Sequence, residues 1–220
     1  MALLSYDESK TFAIPDPNTY KARCVRVVEI GKQKTTYAGV EKEKPQVIIQ
    51  WELFGAKGAE ENPFLISKWY GFNLAPKSTL RIHLKSWRGR DFTDEELAGF
   101  SLGKILGANC TLTLVHEQKG EYTNAVIAAI TPVDQELLPR VKAFKQTTEL
   151  LHFELDKAGE IGFETNYNLL PEWMKKQVHK SKEWPDVMRK MHGNGQQAPQ
   201  AQQWPAPTEL DEDELAVMPF

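Results

Sequence analysis

Cysteine is nearly absent: Cys24 and Cys110 are the only two in 220 residues, and they are not in CxxC spacing. No disulfide framework or zinc pattern follows from them, and a reducing cytosol is the expected compartment. No apolar run reaches the 18 residues of a spanning helix, so no membrane partner is expected. The start, MALLSYDESK, lacks the basic opening and long apolar stretch of a signal peptide. Five histidines (His83, His116, His152, His179, His192) stand in neither HExxH nor HxH spacing, and there is no Gly-rich phosphate loop or nucleophile elbow. No catalytic residue, cofactor or metal ligand is therefore assigned. One ExK, within Glu41–Lys44 (EKEK), keeps a small metal-dependent nuclease as a rival reading, although an exposed mixed-charge turn produces the same letters.

Basic residues are missing from one end of the chain. Residues 191–220 hold no Lys or Arg and five acids, Glu209 and Asp211 to Glu214. All 27 Lys and Arg and the other 25 acids lie in residues 1–190, a balance of +2. A weakly basic body thus carries an acidic tail, which serves as an interaction element or a solubilising end. Residues 191–208 (MHGNGQQAPQAQQWPAPT) are Gly/Gln/Pro-rich and aperiodic, the composition of a flexible linker reaching roughly 25 Å.

What is present alternates with period two, then shifts. Residues 20–30, 45–54 and 64–72 read as three strands, with a polar Lys/Thr-rich loop between the first two. From Ser78, Leu80, Leu84 and Trp87 fall at i, i+4 and i+7, a helical face closed by Gly89. Thr93 and Glu96 make a capping box for a short second helix. Residues 108–116 and 121–133 return to strand spacing around EQKG, a hairpin loop. Three strands, a helix, then two strands is the order of an OB-fold, a five-stranded Greek-key barrel that binds oligonucleotides. The expected organisation is mainly β: that barrel over 1–133, a partly helical extension over 134–190, the linker over 191–208 and a disordered acidic tail over 209–220.

Two constellations suit nucleic acid. KSTLRIHLKSWRGR (77–90) has five basic residues and no acid; on a helix Lys77, Arg81, Lys85 and Arg88 form one ridge, with Arg90 just beyond. Such ridges neutralise phosphates and release counterions; an ordinary solvated helix face, with Trp87 in the core, is the competing reading. The third strand carries Lys68, Trp69, Tyr70 and Phe72. Bases of a single strand stack on exposed rings for about 1–3 kcal/mol each, beside Lys and Arg that follow the backbone. Alternation puts Lys68, Tyr70 and Phe72 on one face, expected to point outward because a buried lysine is costly. Trp69, and Trp51 among Val47, Ile49 and Leu53, are expected in the core. Lys32, Lys34 and Tyr37 in the first connecting loop are further candidate contacts, since OB-folds bind with that loop.

These segments resemble bacteriophage single-stranded DNA-binding proteins of the OB-fold type. The likeness rests on FAIPDPNTYKARCVRVVEIG, SWRGRDFTDEEL (86–97) and GANCTLTLVHEQKGEYTNAVIAAITPV, and covers roughly residues 10–133. The tail is similar to that of cellular single-stranded DNA-binding proteins: a linker, acids at Asp211, Glu212, Asp213 and Glu214, then Pro219 and Phe220. It departs from them in the intervening Leu215–Met218, and residues 134–190 have no counterpart in that pattern. The resemblance implies a non-enzymatic protein that coats single-stranded DNA during replication or recombination in a host bacterium's cytoplasm. It also implies a tail that recruits replication or repair proteins through its terminal carboxylate and aromatic. An adaptor without nucleic-acid affinity is the second rival, and RNA stays open because stacking does not read the sugar.

Overall fold

The computed structural model describes residues 14–37, 39–57 and 62–192. Met191 and His192, expected to begin the linker, instead end the last described helix; the rest of the expected linker and the tail residues Asp211 to Glu214, Pro219 and Phe220 lie outside the described residues.

One mainly antiparallel sheet organises the chain. It contains β1 (Thr19–Tyr37), β2 (Val40–Lys57), β3 (Pro63–Gly71), β4 (Asn109–Lys119), β5 (Tyr122–Thr131) and β6 (Leu151–Phe153). The hydrogen-bonded order is β3-β2-β1-β4-β5, with β6 added parallel to β1 beside Arg26–Val28. The path is open, β3 and β5 being its ends. Between those ends the Lys68 ammonium donates to the Ile127 carbonyl at 3.3 Å.

β1 is long enough to serve three neighbours because bulges reset it. Its first residues pair with β4 up to Arg23↔Asn109, and β6 replaces β4 from Arg26 onward. The irregularity between Cys24 and Arg26 shifts the alternation, so Ala22, Cys24 and Val27 all reach one core. That first core also takes Val47, Ile49, Trp51, Leu53, Ile66 and Tyr70 from β2 and β3. α1 (Thr79–Arg88) buries Leu80, Leu84 and Trp87 against it, the stripe read from the sequence. The Ser78 hydroxyl caps α1 by accepting from Arg81 N–H, and Gly89 closes it at φ 69°, where a side chain would be strained. Trp87 Nε1 donates to Asn109 O at 2.9 Å and Ser86 Oγ to Ile130 O at 2.6 Å, tying α1 to β4 and β5. α2 (Asp94–Gly99) starts on the expected Thr93–Glu96 capping box.

The other face of β1 and β2 is not solvent. Val28, Ile30 and Ile48 form a second core with Leu151, Phe153, Phe163, Met174, Val178 and Val187. These come from β6 and from α4 (Phe163–Asn168), α5 (Glu172–His179) and α6 (Trp184–His192). The extension therefore completes the sheet and is covered by the same strands it covers. Its start is held by a buried carboxylate: Glu52 accepts from Thr147 N–H at 3.1 Å, Thr147 Oγ1 at 3.2 Å and Thr148 N–H at 2.7 Å. Just before it, α3 (Leu138–Ala143) buries Val141 in a small cluster with Phe54 and Val133.

Candidate nucleic-acid interface

Two hairpins outrun the sheet that roots them. β3 ends at Gly71 opposite Gln46, but β1 and β2 continue pairing from Lys32↔Pro45 to Tyr37↔Val40. The Lys/Thr-rich stretch expected as a loop is thus a two-stranded arm. Its β-branched threonines and cross-strand pairs such as Lys34↔Glu43 suit a ladder. β4 likewise leaves β1 at Thr113 and runs on with β5 to Lys119↔Tyr122, closed by the turn Gly120-Glu121.

Lys32 and Lys34 stand exposed on the first arm, and Tyr37 ends its strand. Lys42 and Lys44, not singled out from the sequence, are exposed on the facing strand, paired with Thr35 and Gln33. The arm's root is fixed by the extension: Lys32 N–H donates to Glu183 at 2.9 Å and Lys182 N–H to Lys32 O at 3.2 Å. Lys182 Nζ also meets Glu43 at 2.7 Å. The Lys182 bond, with the charges of Lys34 and Lys32, holds Glu43 below the usual carboxylate range. Within the EKEK segment, Glu43 is thus engaged by a lysine of the extension.

The third strand is oriented opposite to expectation. Tyr70 is 3% exposed and belongs to the first core, where its hydroxyl shares a 2.9 Å hydrogen bond with His83 Nδ1. Lys68 shares that inward face and is half-buried, and burial lowers its pKa. Trp69 points the other way and packs against the second core. The expectation failed because it assumed one wet face. With the extension covering the outer face, both sides of β3 are taken, and a Tyr whose hydroxyl has a partner is as good a core residue as Trp. Lys68 is tolerated inside because it reaches the Ile127 carbonyl at the gap between the sheet's ends. Phe72, one residue past β3, is 38% exposed. Trp51 and Trp87 are buried as expected, their ring centroids 6.0 Å apart.

The basic ridge of α1 is neutralised from the turn after it. Asp91 accepts from Lys85 at 2.9 Å and pairs with Arg81 at 3.3 Å. Glu96 takes both Arg88 and Arg90, the latter at 2.7 Å. These bonds depress both carboxyls to about 2, the Lys85 bond leading for Asp91 and the Arg90 bond for Glu96. Arg88 also lies 4.3 Å above the Phe92 ring, so it is a structural cation. Arg90 is exposed but paired, and Lys77 is exposed at the helix start.

On the second arm Tyr122 is 59% exposed. The sequence holds a signal for it, a ring beside a Gly turn in a hairpin, but no sign that this turn projects beyond β1. Glu29, His152 and Glu154, none of them assigned to a metal from the sequence, bring ligand atoms within 4.8 Å of one another. No described helix is long and apolar enough to cross a membrane. Compared with protein-family models and with curated protein sequences, the chain matches none.

Proposed function

We propose that this protein binds single-stranded DNA without catalysing a reaction on it, gripping the strand between its two projecting hairpins. The observation that carries this reading is the pair of arms outrunning the sheet, one bearing Lys32, Lys34, Lys42 and Lys44, the other Tyr122. Exposed cations on a projecting ladder follow phosphates, and exposed rings accept bases of any sequence. The strand order β3-β2-β1-β4-β5, with α1 between β3 and β4, is also that of an OB barrel unrolled at its β3–β5 seam. Its β1–β2 and β4–β5 connections are the ones such folds use for oligonucleotides. Phe72, beside Pro45 at the root of the first arm (N–H to O 2.8 Å), adds a ring to that track. The phosphate contacts come from the arms in this reading, since the α1 ridge is engaged by Asp91 and Glu96. The resemblance to phage proteins supports a role in coating replication or recombination intermediates, with Asp211 to Glu214, Pro219 and Phe220 as the recruiting tail.

The test is fluorescence anisotropy of a labelled single strand of ~30 nucleotides, titrated at low and moderate salt beside the matching duplex. Expected is binding that favours the single strand and weakens steeply with salt. Equal affinity for duplex, a flat salt response, or loss of the oligonucleotide on incubation with Mg²⁺ overturns the reading.

A further inference from the structure

The extension carries more than the cover it provides. α4, α5 and α6 bring three rings into one stack. The Tyr167 hydroxyl and His179 Nε2 lie 2.7 Å apart, with the two rings 22° from parallel. Trp184 is layered on both, its centroid 5.5 Å from Tyr167 and 4.3 Å from His179. His179 is exposed, while Tyr167 and Trp184 are half-buried against the second core. Burial lowers the His179 pKa, with Glu172 opposing it and Lys175 adding to it.

Charge surrounds this stack on one side. Residues 173–182 (WMKKQVHKSK) hold four lysines and no acid. The Lys175 ammonium lies 5.5 Å from the Tyr167 centroid and pairs with Glu172. Lys176 and Lys180 are exposed and carry none of the ion pairs that engage Lys175 and Lys182. The tract runs directly into the first arm through the Lys182–Lys32 backbone bond and the Lys182–Glu43 pair.

We propose that Lys176, Lys180 and the Tyr167–His179–Trp184 stack are a second contact surface for single-stranded DNA, continuous with the β1–β2 arm. A strand leaving the arm then passes along the lysines and sets a base against the stack. This rests on the single-stranded DNA reading above and gives the extension a share of the binding site. The lysines supply charge complementarity to phosphate, and the rings supply faces on which a base can stack.

The experiment compares the full-length protein with the Lys176→Gln/Lys180→Gln double variant on oligo(dT) of about 8 and about 30 nucleotides over a salt series. Ultraviolet crosslinking of the longer strand is mapped by mass spectrometry. Both replaced side chains are exposed, so urea unfolding should be unchanged. Expected for the longer strand are roughly tenfold weaker binding and a salt slope shallower by about 1.4, from two phosphates at ~0.7 each. The short strand, held by the arms, should change less than twofold, and adducts should fall on Tyr167, His179 or Trp184. Unchanged affinity and slope with adducts confined to the arms overturns the second surface while leaving the first intact. Preferential competition by an acidic peptide assigns the lysines to a protein partner and overturns it too. Failure of the unaltered protein to bind either strand removes the parent reading and this one together.

Discussion

Gly31→Ala is the sharpest probe of how the arm and extension are joined. Gly31 sits at φ 72°, at the irregularity after Glu29 where β1 turns from sheet into arm. A Cβ built there would lie 2.6 Å from Ser181 Cβ and 2.8 Å from Leu155 Cδ1, both well inside van der Waals contact. It would also approach Glu183 Oε2 at 2.8 Å, and that carboxylate holds the Lys32 N–H. Left-handed backbone costs an ordinary residue about 1–2 kcal/mol, and overpacking a filled site adds about 1–3 kcal/mol. The expected loss of about 2–5 kcal/mol is a large part of a typical domain's 5–15 kcal/mol. Urea unfolding followed by tryptophan fluorescence measures it, because Trp69, Trp173 and Trp184 border the second core while Trp51 and Trp87 serve the first. Hydrogen exchange should locate the early opening in residues 151–192. A loss below ~0.5 kcal/mol, the ordinary range for a surface change, would mean that residues 181–183 do not rest on the turn of β1.

Glu52→Gln replaces a buried acceptor of three hydrogen bonds with an amide; about 1–3 kcal/mol should be lost, with residues 146–149 becoming the first site of proteolytic nicking. Glu96→Gln should weaken the cap of α2 and release Arg90, lowering the melting temperature while tightening single-stranded DNA at low salt; unchanged binding would leave Arg90 outside the DNA track. Since Asp91 and Glu96 titrate near about 2 in the fold, their stabilisation is complete above the unfolded carboxyl range and disappears as pH falls toward about 2. Glu29 behaves oppositely. Burial, then Asp156 and Glu154, raise it to about 7, so the fold binds the extra proton and stability declines as pH rises from the unfolded value near 4.5 through about 7. Glu29→Gln should remove that decline, a gain at pH 8 of ~1 kcal/mol after allowing for the group's partial solvation, read from denaturation at pH 5 and 8. Deleting Asp211–Phe220 should leave DNA affinity equal or tighter while abolishing capture of replication partners; lost DNA binding would contradict that division of labour.

Local patterns were legible wherever one element buried one face. The Leu80–Leu84–Trp87 stripe, the Ser78 and Gly89 ends of α1 and the Thr93–Glu96 box follow from helix periodicity and capping, which need no distant partner. The fate of the α1 ridge was hidden, because Asp91 and Glu96 lie beyond the helix and only the folded turn brings them back to Arg81, Lys85, Arg88 and Arg90. β3 shows the same limit. Alternation says that Lys68 and Tyr70 oppose Trp69, but which side meets a core depends on α1 and on helices a hundred residues later. β6 is three residues long and has no periodicity to read.

By itself, then, the sequence determined the order of the main strands and α1, the apolar face of that helix and the separation of a weakly basic body from an acidic end. These depend on spacing and composition, which act within a turn or a strand. Tertiary structure alone decided that both sides of the sheet are covered, that the α1 cations are engaged within the fold, and that Lys32 and Glu43 of the arm meet Lys182 and Glu183 of the extension. Those outcomes hinge on pairings across up to 151 residues, as between Lys32 and Glu183, and no local pattern encodes which distant group fills a given face.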